Sequence, residues 1–335
     1  MSIITYKQAV RDALYEELKR DEKVFMLGED LGEYGGCFGV TEGFQREFGE
    51  DRIMDTPIVE GGFTGVAVGV AMAGYRPVVE YMFADFVTCA MDLLVNQAAK
   101  ARFMLGGQVS VPLVVRTPAG SGTGAAAQHS QCFEAWFCHV PGLKVVMPAT
   151  PYDAKGLLKS AIRENNPIIF YEHKLAYPQM GEVPDEEYLL PIGKADVKRR
   201  GRDVTIISYS LTLLKALEAA KMLEKDGIDA EVLDLRTLSP LDEQAIIASA
   251  KKTGRVLIAH ESVENFGVGA EVSSIINESD AFYSLKKPVR RFGGEFIPMP
   301  YTPDLEAQMV PQAQTIYMEV KQLLGQGQKV VNSAV

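Results

Sequence analysis

The sequence predicts an α/β fold in two domains, each built on a mostly parallel sheet covered by helices. Three observations lead there. The 335 residues exceed one ordinary domain. Short β-branched runs alternate with helical patterns along most of the chain. A Pro- and acid-rich stretch from about Leu175 to Val197 breaks that alternation once, after which it restarts. Residues 1–185 are expected to form the first domain, 186–325 the second and 326–335 a disordered tail.

Each element has its local reason. Thr5-Tyr-Lys-Gln8 has capping-box spacing and opens a helix with Val10, Ala13, Leu14, Glu17 and Leu18 at helical period. Val24 to Leu27 reads as a short buried strand. Gly28-Glu-Asp-Leu-Gly32, followed by Gly35, Gly36, Gly39 and Gly43, makes a long irregular stretch of the kind more often functional than idle. Gly61 to Gly74 reads as a small-residue helix able to lie close to neighbouring backbone. Pro77 to Met82 is a strand, and Asp85 to Leu105 a long helix with Phe86, Met91, Leu94, Val95 and Ala98 on its apolar face. Val111 to Arg116, Lys144 to Met147 and Pro167 to Tyr171 are further strands, with a helix from Asp153 to Arg163. In the second domain, strands are expected at Val204 to Ser208, Ala230 to Leu235, Arg255 to Ala259 and Pro288 to Arg291. A helix spans Leu213 to Lys225, and Ser239-Pro-Leu-Asp242 opens another with Pro at its first helical position.

Composition excludes several classes. With 47% apolar and 23% charged residues the chain is an ordinary soluble globular one. A net charge of −10 gives no attraction to nucleic acid or anionic membrane. No stretch approaches the roughly 18 apolar residues of a membrane span, and the opening residues, which run straight into an amphipathic pattern, are not expected to be a targeting segment. Four cysteines without C-x-x-C spacing fit a reducing cytoplasm better than a disulfide framework or a zinc site.

The glycine loop Gly120-Ser-Gly-Thr-Gly124 follows a strand but fails as a dinucleotide fingerprint. Its spacing is G-x-G-x-G, and the next strand ends in Pro148 instead of an acid that would hold a ribose. A ligand loop and a plain connector both remain open there. Glu60, glycine-flanked at a helix entry, is either a partner of the helix dipole or a buried carboxylate able to share a proton with a nitrogen heterocycle. His129 lies just after the glycine loop among residues of little bulk, whereas His139, His173 and His260 read as ordinary structural imidazoles.

Gly28-Glu-Asp, Asp55-Thr-Pro-Ile-Val-Glu60, Phe83-Ala-Asp-Phe86, Ala126-Ala-Gln-His-Ser-Gln131 and the run from Pro141 to Gly156 stand in the order found in one family. With Leu235-Arg-Thr-Leu-Ser-Pro-Leu-Asp242, the chain resembles the β subunit of the thiamine-diphosphate-dependent E1 component of acetoin and 2-oxoacid dehydrogenase complexes. The resemblance spans about residues 3–324. It implies a pyrimidine-binding domain followed by a transketolase C-terminal-like domain, in an α2β2 heterotetramer that is active only with its α subunit, which holds Mg2+ and the diphosphate. It implies an oxidoreductase that cleaves acetoin or decarboxylates pyruvate, a small carbonyl substrate in either case, and passes the acyl group to lipoamide on an E2 acyltransferase. A branched-chain 2-oxoacid enzyme is the alternative, and a nicotinamide oxidoreductase a more distant one.

By motif, Glu60 is then expected to hydrogen-bond the aminopyrimidine, with Ile58, Met82 and Phe86 lining its pocket and Glu29 joining a chain of acids. His129 is expected to face substrate or the incoming lipoyl group. A potassium site is expected from backbone oxygens of Leu113, Ala161, Ile162 and Asn166, with Glu164 in place of the usual Asp. Glu172 to Tyr177, Met180 to Pro184 and Tyr188 to Asp196 look most like the acetoin-cleaving branch.

Overall fold

The computed structural model describes residues 1–326; the expected tail therefore lies outside the described residues except for Gln326. In the N-terminal half, β1 (Ser2–Thr5), α1 (Tyr6–Arg20), β2 (Val24–Gly28), α2 (Phe44–Phe48), β3 (Ile53–Asp55), α3 (Glu60–Met72) and β4 (Arg76–Glu80) come first. They are followed by α4 (Ala101–Met104), β5 (Val114–Ala119), α5 (Glu134–Cys138), β6 (Lys144–Val146), α6 (Pro151–Arg163), β7 (Ile168–His173) and β8 (Met180–Val183). The rest comprises β9 (Asp196–Arg199), β10 (Val204–Ser208), α7 (Ser210–Lys225), β11 (Ala230–Asp234), β12 (Thr237–Ser239) and α8 (Glu243–Thr253). It closes with β13 (Val256–Val263), α9 (Val268–Asn277), β14 (Arg290–Gly294), α10 (Pro303–Gln308) and α11 (Ala313–Leu323).

The chain divides into two compact units, and the first runs to Gly193 and takes back Thr237–Pro240. That is later than the expected boundary at 185, for a packing reason. Tyr188 stacks on Tyr152 of α6 with ring centroids 4.8 Å apart, and Leu190 is buried in the first unit's core. The first unit's main sheet has the order β12-β6-β7-β5-β4-β2-β3, parallel except where β12 meets β6. A two-stranded ribbon, β1 with β8, stands apart from it.

Helix α1 starts where the capping residues predict: Thr5 Oγ1 accepts from Gln8 N at 3.1 Å. It packs against α6, and the acid in its apolar stripe is paired: buried Glu17 accepts from Arg163 and Arg20, each at 2.7 Å. The expected long helix from Asp85 is instead three short pieces, a 3-10 segment Ala84–Ala90, a π-type turn Leu93–Ala98 and α4. Its apolar spacing reads as one helix, yet the pitch changes twice. In the π-type turn Ala99 N reaches back to Leu94 O at 3.0 Å, and Lys100 Nζ takes Val95 O at 2.8 Å.

The second unit's sheet has the order β14-β13-β10-β11-β9, with β9 antiparallel to β11 and the others parallel. Here the helix start expected at Ser239-Pro240 is corrected. Residues Thr237–Ser239 are extended because they pair with β6 in the first unit, and Asp242 caps α8 by accepting from Ala245 N at 3.3 Å. Among the described residues no helix is long and apolar enough to cross a membrane.

Candidate active site

In a parallel sheet every strand-to-helix loop leaves from the same edge, and ligands bind at that edge. In the first unit that edge gathers Glu29 after β2, Ile58 and Glu60 after β3, Met82 and Phe86 after β4, His129 after β5 and Lys174 after β7. The strand order reverses between β2 and β4, the place where a crevice forms. The two strands are pressed together there: a Cβ on Gly28 would lie 2.6 Å from the carbonyl oxygen of Glu80, so only glycine fits.

Glu60 is the first residue of α3 and only 8% exposed. No side chain caps this helix, and the Glu60 carboxylate belongs to its first turn, where the unsatisfied N–H groups favour a negative charge. Glu29, 4% exposed, is close enough to feel its charge. Burial first, then Glu60 and Asp30, push the Glu29 carboxyl up to about 7. Its Oε1 has no hydrogen-bond partner, and neither does the Oγ1 of Thr56 four residues before Glu60. A buried carboxylate oxygen and a buried hydroxyl left open at a sheet edge are places for a ligand's donors. Beside them Ile58 is 81% exposed and Val59 also largely exposed, an apolar surface next to the acids. Met82 and Phe86 are half-buried.

His129 is half-buried and held between two aromatic edges. Its ring centroid lies 4.8 Å from Phe83 and 5.3 Å from Phe86, at 79° and 89°. The glycine loop before it proves to be glycine for packing: at Gly120, with φ +86°, a Cβ would fall 2.1 Å from His173 Nε2.

Sequence reading missed the charged cluster beneath this edge. Arg116 of β5 is fully buried and forks onto Glu172 of β7 with two bonds of 2.7 Å, while its other nitrogen binds Glu80 of β4. Tyr177 donates to Glu172 at 2.8 Å. Two carboxylates share one guanidinium; burial, set against Arg116 and reinforced by Glu172, pushes Glu80 up to about 7. The only signal in the sequence is a charge at the end of each apolar strand run.

The residues expected to hold potassium lie in and around the C-terminal end of α6, and their oxygens already have partners. Leu113 O accepts from Ile168 N at 2.9 Å and Ala161 O from Glu164 N at 3.2 Å. Arg76 donates to Ile162 O and Glu164 O, both at 3.0 Å. The Glu164 carboxylate takes Lys144 at 2.6 Å and Asn166 Nδ2 at 2.9 Å. Each carbonyl oxygen has two lone pairs, and the cations Arg76 and Lys144 already bind the Ile162 and Glu164 oxygens. Among the described residues no group of three His, Cys, Asp or Glu is placed to hold a metal ion.

A family model of the transketolase pyrimidine-binding domain matches residues 2–180, and one of the transketolase C-terminal domain matches residues 193–316. The 2-oxoisovalerate dehydrogenase subunit beta of Bacillus subtilis is 50% identical over 91% of this chain and 94% of its own. The chain belongs to the E1 β-subunit family of thiamine-diphosphate-dependent 2-oxoacid dehydrogenases. The pyruvate dehydrogenase E1 component subunit beta of Rhizobium meliloti is 46% identical, over 96% of this chain and 70% of the relative. The mitochondrial counterpart of Bos taurus is 47% identical, over 96% and 90%. A solved split-gene transketolase, an inactive β4 tetramer, superposes with a TM-score of 0.81 at 25% identity, covering 97% of this chain and 100% of that one. As an E1 β subunit, this chain is part of an oxidoreductase that uses lipoamide and works with an α subunit.

Proposed function

We propose that this β subunit supplies the aminopyrimidine half of the cofactor site, and that with its α subunit in an α2β2 heterotetramer it cleaves acetoin. The observation that carries the first part is the open, buried Glu29 carboxylate oxygen next to Glu60 at the reversal point of the sheet. When bound, thiamine diphosphate supplies the carbon nucleophile for the substrate carbonyl and the sink for the electron pair of the broken carbon-carbon bond. Glu60 shares a proton with a pyrimidine ring nitrogen, a task suited to a carboxylate at a helix N-terminus shielded from water. Glu29, able to hold a proton near neutrality, passes protons to and from that pair. Ile58, Met82 and Phe86 cover the ring's apolar faces. His129 moves a proton at the substrate oxygen or at the lipoyl sulfur. The α subunit carries Mg2+ and the diphosphate, and a lipoylated E2 acyltransferase receives the acyl group.

Support for acetoin comes from the stretches Glu172 to Tyr177, Met180 to Pro184 and Tyr188 to Asp196, and from the aromatic walls around His129, which favour a small substrate. Identity of 50% to a 2-oxoisovalerate enzyme favours a branched-chain acid as the second reading. Ferricyanide-linked turnover of the assembled enzyme with acetoin, pyruvate and 3-methyl-2-oxobutanoate separates them. Acetoin is expected to be turned over fastest. Preference for either oxoacid overturns the substrate, and no cofactor-dependent turnover overturns the whole reading.

We also infer a structural potassium ion at Leu113, Ala161, Ile162, Glu164 and Asn166, using the carbonyls' remaining lone pairs. Exchanging NaCl for KCl at equal ionic strength is expected to raise the melting temperature. Superimposable melting curves contradict it. The four free cysteines support a cytoplasmic location.

A further inference from the structure

The backbone leading to His129 is irregular. Gly120, Gly122, Gly124 and Ala126 all have positive φ, and regular structure resumes only with α5. His129 N reaches Ala126 O at a long 3.4 Å. Two side chains from other loops grip the segment. Asp85 accepts from Gln131 N at 3.2 Å and from Gln131 Nε2 at 2.8 Å. On the other side the ammonium of Lys174, the residue after β7, donates to the carbonyl oxygen of His129 itself.

Lys174 is nearly fully buried, which is costly for an ammonium unless it is fixed by strong partners. Its Nζ also sits 5.2 Å from the centroid of Phe83, the ring whose edge contact limits the His129 imidazole on one side. One cation therefore holds both the main chain of His129 and the wall its ring rests on. The proton transfers proposed above use no group of Lys174.

We infer that Lys174 is a positioning residue, whose ammonium aims the His129 imidazole by fixing the His129 carbonyl and the Phe83 ring. The inference rests on the proposed role of His129 in proton transfer. A reacting group displaced by about 1 Å can lose roughly a hundredfold in rate, so loss of the clamp is read in kcat.

The test is a double-mutant cycle on the enzyme assembled with its α subunit, using turnover with the preferred substrate. Lys174→Met keeps the stem and removes the donor. It is expected to lower kcat roughly 10- to 100-fold while cofactor affinity stays unchanged. Lys174→Arg, which still donates to the carbonyl, is expected to recover most of the loss. In a His129→Ala background, Lys174→Met is expected to change kcat by less than about twofold. Losses that multiply, or a Lys174→Met enzyme within about twofold of wild type, overturn the inference. If His129→Ala alone leaves turnover intact, the role of His129 fails and the inference falls with it. Should Lys174→Met not assemble, Lys174→Gln takes its place in the cycle; failure of both to assemble makes Lys174 a folding requirement and overturns the positioning role.

Discussion

Glu29 shows how a single residue couples this site to stability. Burial, Glu60 and Asp30 raise its carboxyl from 4.5 to about 7, so the folded state holds that proton more tightly than the unfolded state does. Stability then falls as pH rises from about 4.5 through about 7. Glu29→Gln mimics the protonated acid at every pH. Its melting temperature is expected to exceed that of wild type at pH 8 and to match it near pH 4; equal curves at both would contradict the assignment. Arg116 gives the opposite case, a buried cation with two acids on it. Arg116→Met strands Glu80 and Glu172 and is expected to cost about 3–5 kcal/mol in denaturant unfolding. At this scale the glycine-flanked helix entry marked Glu60 as a candidate, and Glu29 came only with the family resemblance. The sequence did not show the Arg116 cluster, whose partners lie 36 and 56 residues away in the chain and meet only when β4, β5 and β7 align.

Among the elements, period and capping located β2, β4, β5, β6, β7, β10, β11, β13, β14 and helices α1, α3, α6 and α7, but did not predict the edge strands β3 and β9. They failed where long-range pairing or an altered helical pitch decided the outcome. Thr237–Ser239 has the residues of a helix entry but is drawn into the first unit's sheet by β6. The region after β4 keeps its apolar spacing while its hydrogen bonding passes from 3-10 to π-type, and residue spacing does not encode that choice. The meeting of β2 and β4 rests on Gly28. Gly28→Ala is expected to destabilise the chain by about 1–3 kcal/mol, since the new methyl meets backbone that has no freedom to move aside. A denaturant midpoint unchanged from wild type would contradict that packing.

At the scale of the whole chain, five loops distant in sequence bring the candidate side chains to one edge of one sheet, which follows from parallel topology alone. The strand-helix alternation was visible in residue types, and the meaning of the edge came from motifs spread over it. On the proposed reading Glu60 works on a bound pyrimidine and is not simply a partner for the α3 dipole. Substrate turnover by the enzyme assembled with its α subunit, wild type against Glu60→Gln, tests it most directly. The variant is expected to assemble normally and to lose turnover by about 10²- to 10⁴-fold. An assembled Glu60→Gln enzyme with wild-type turnover would contradict it.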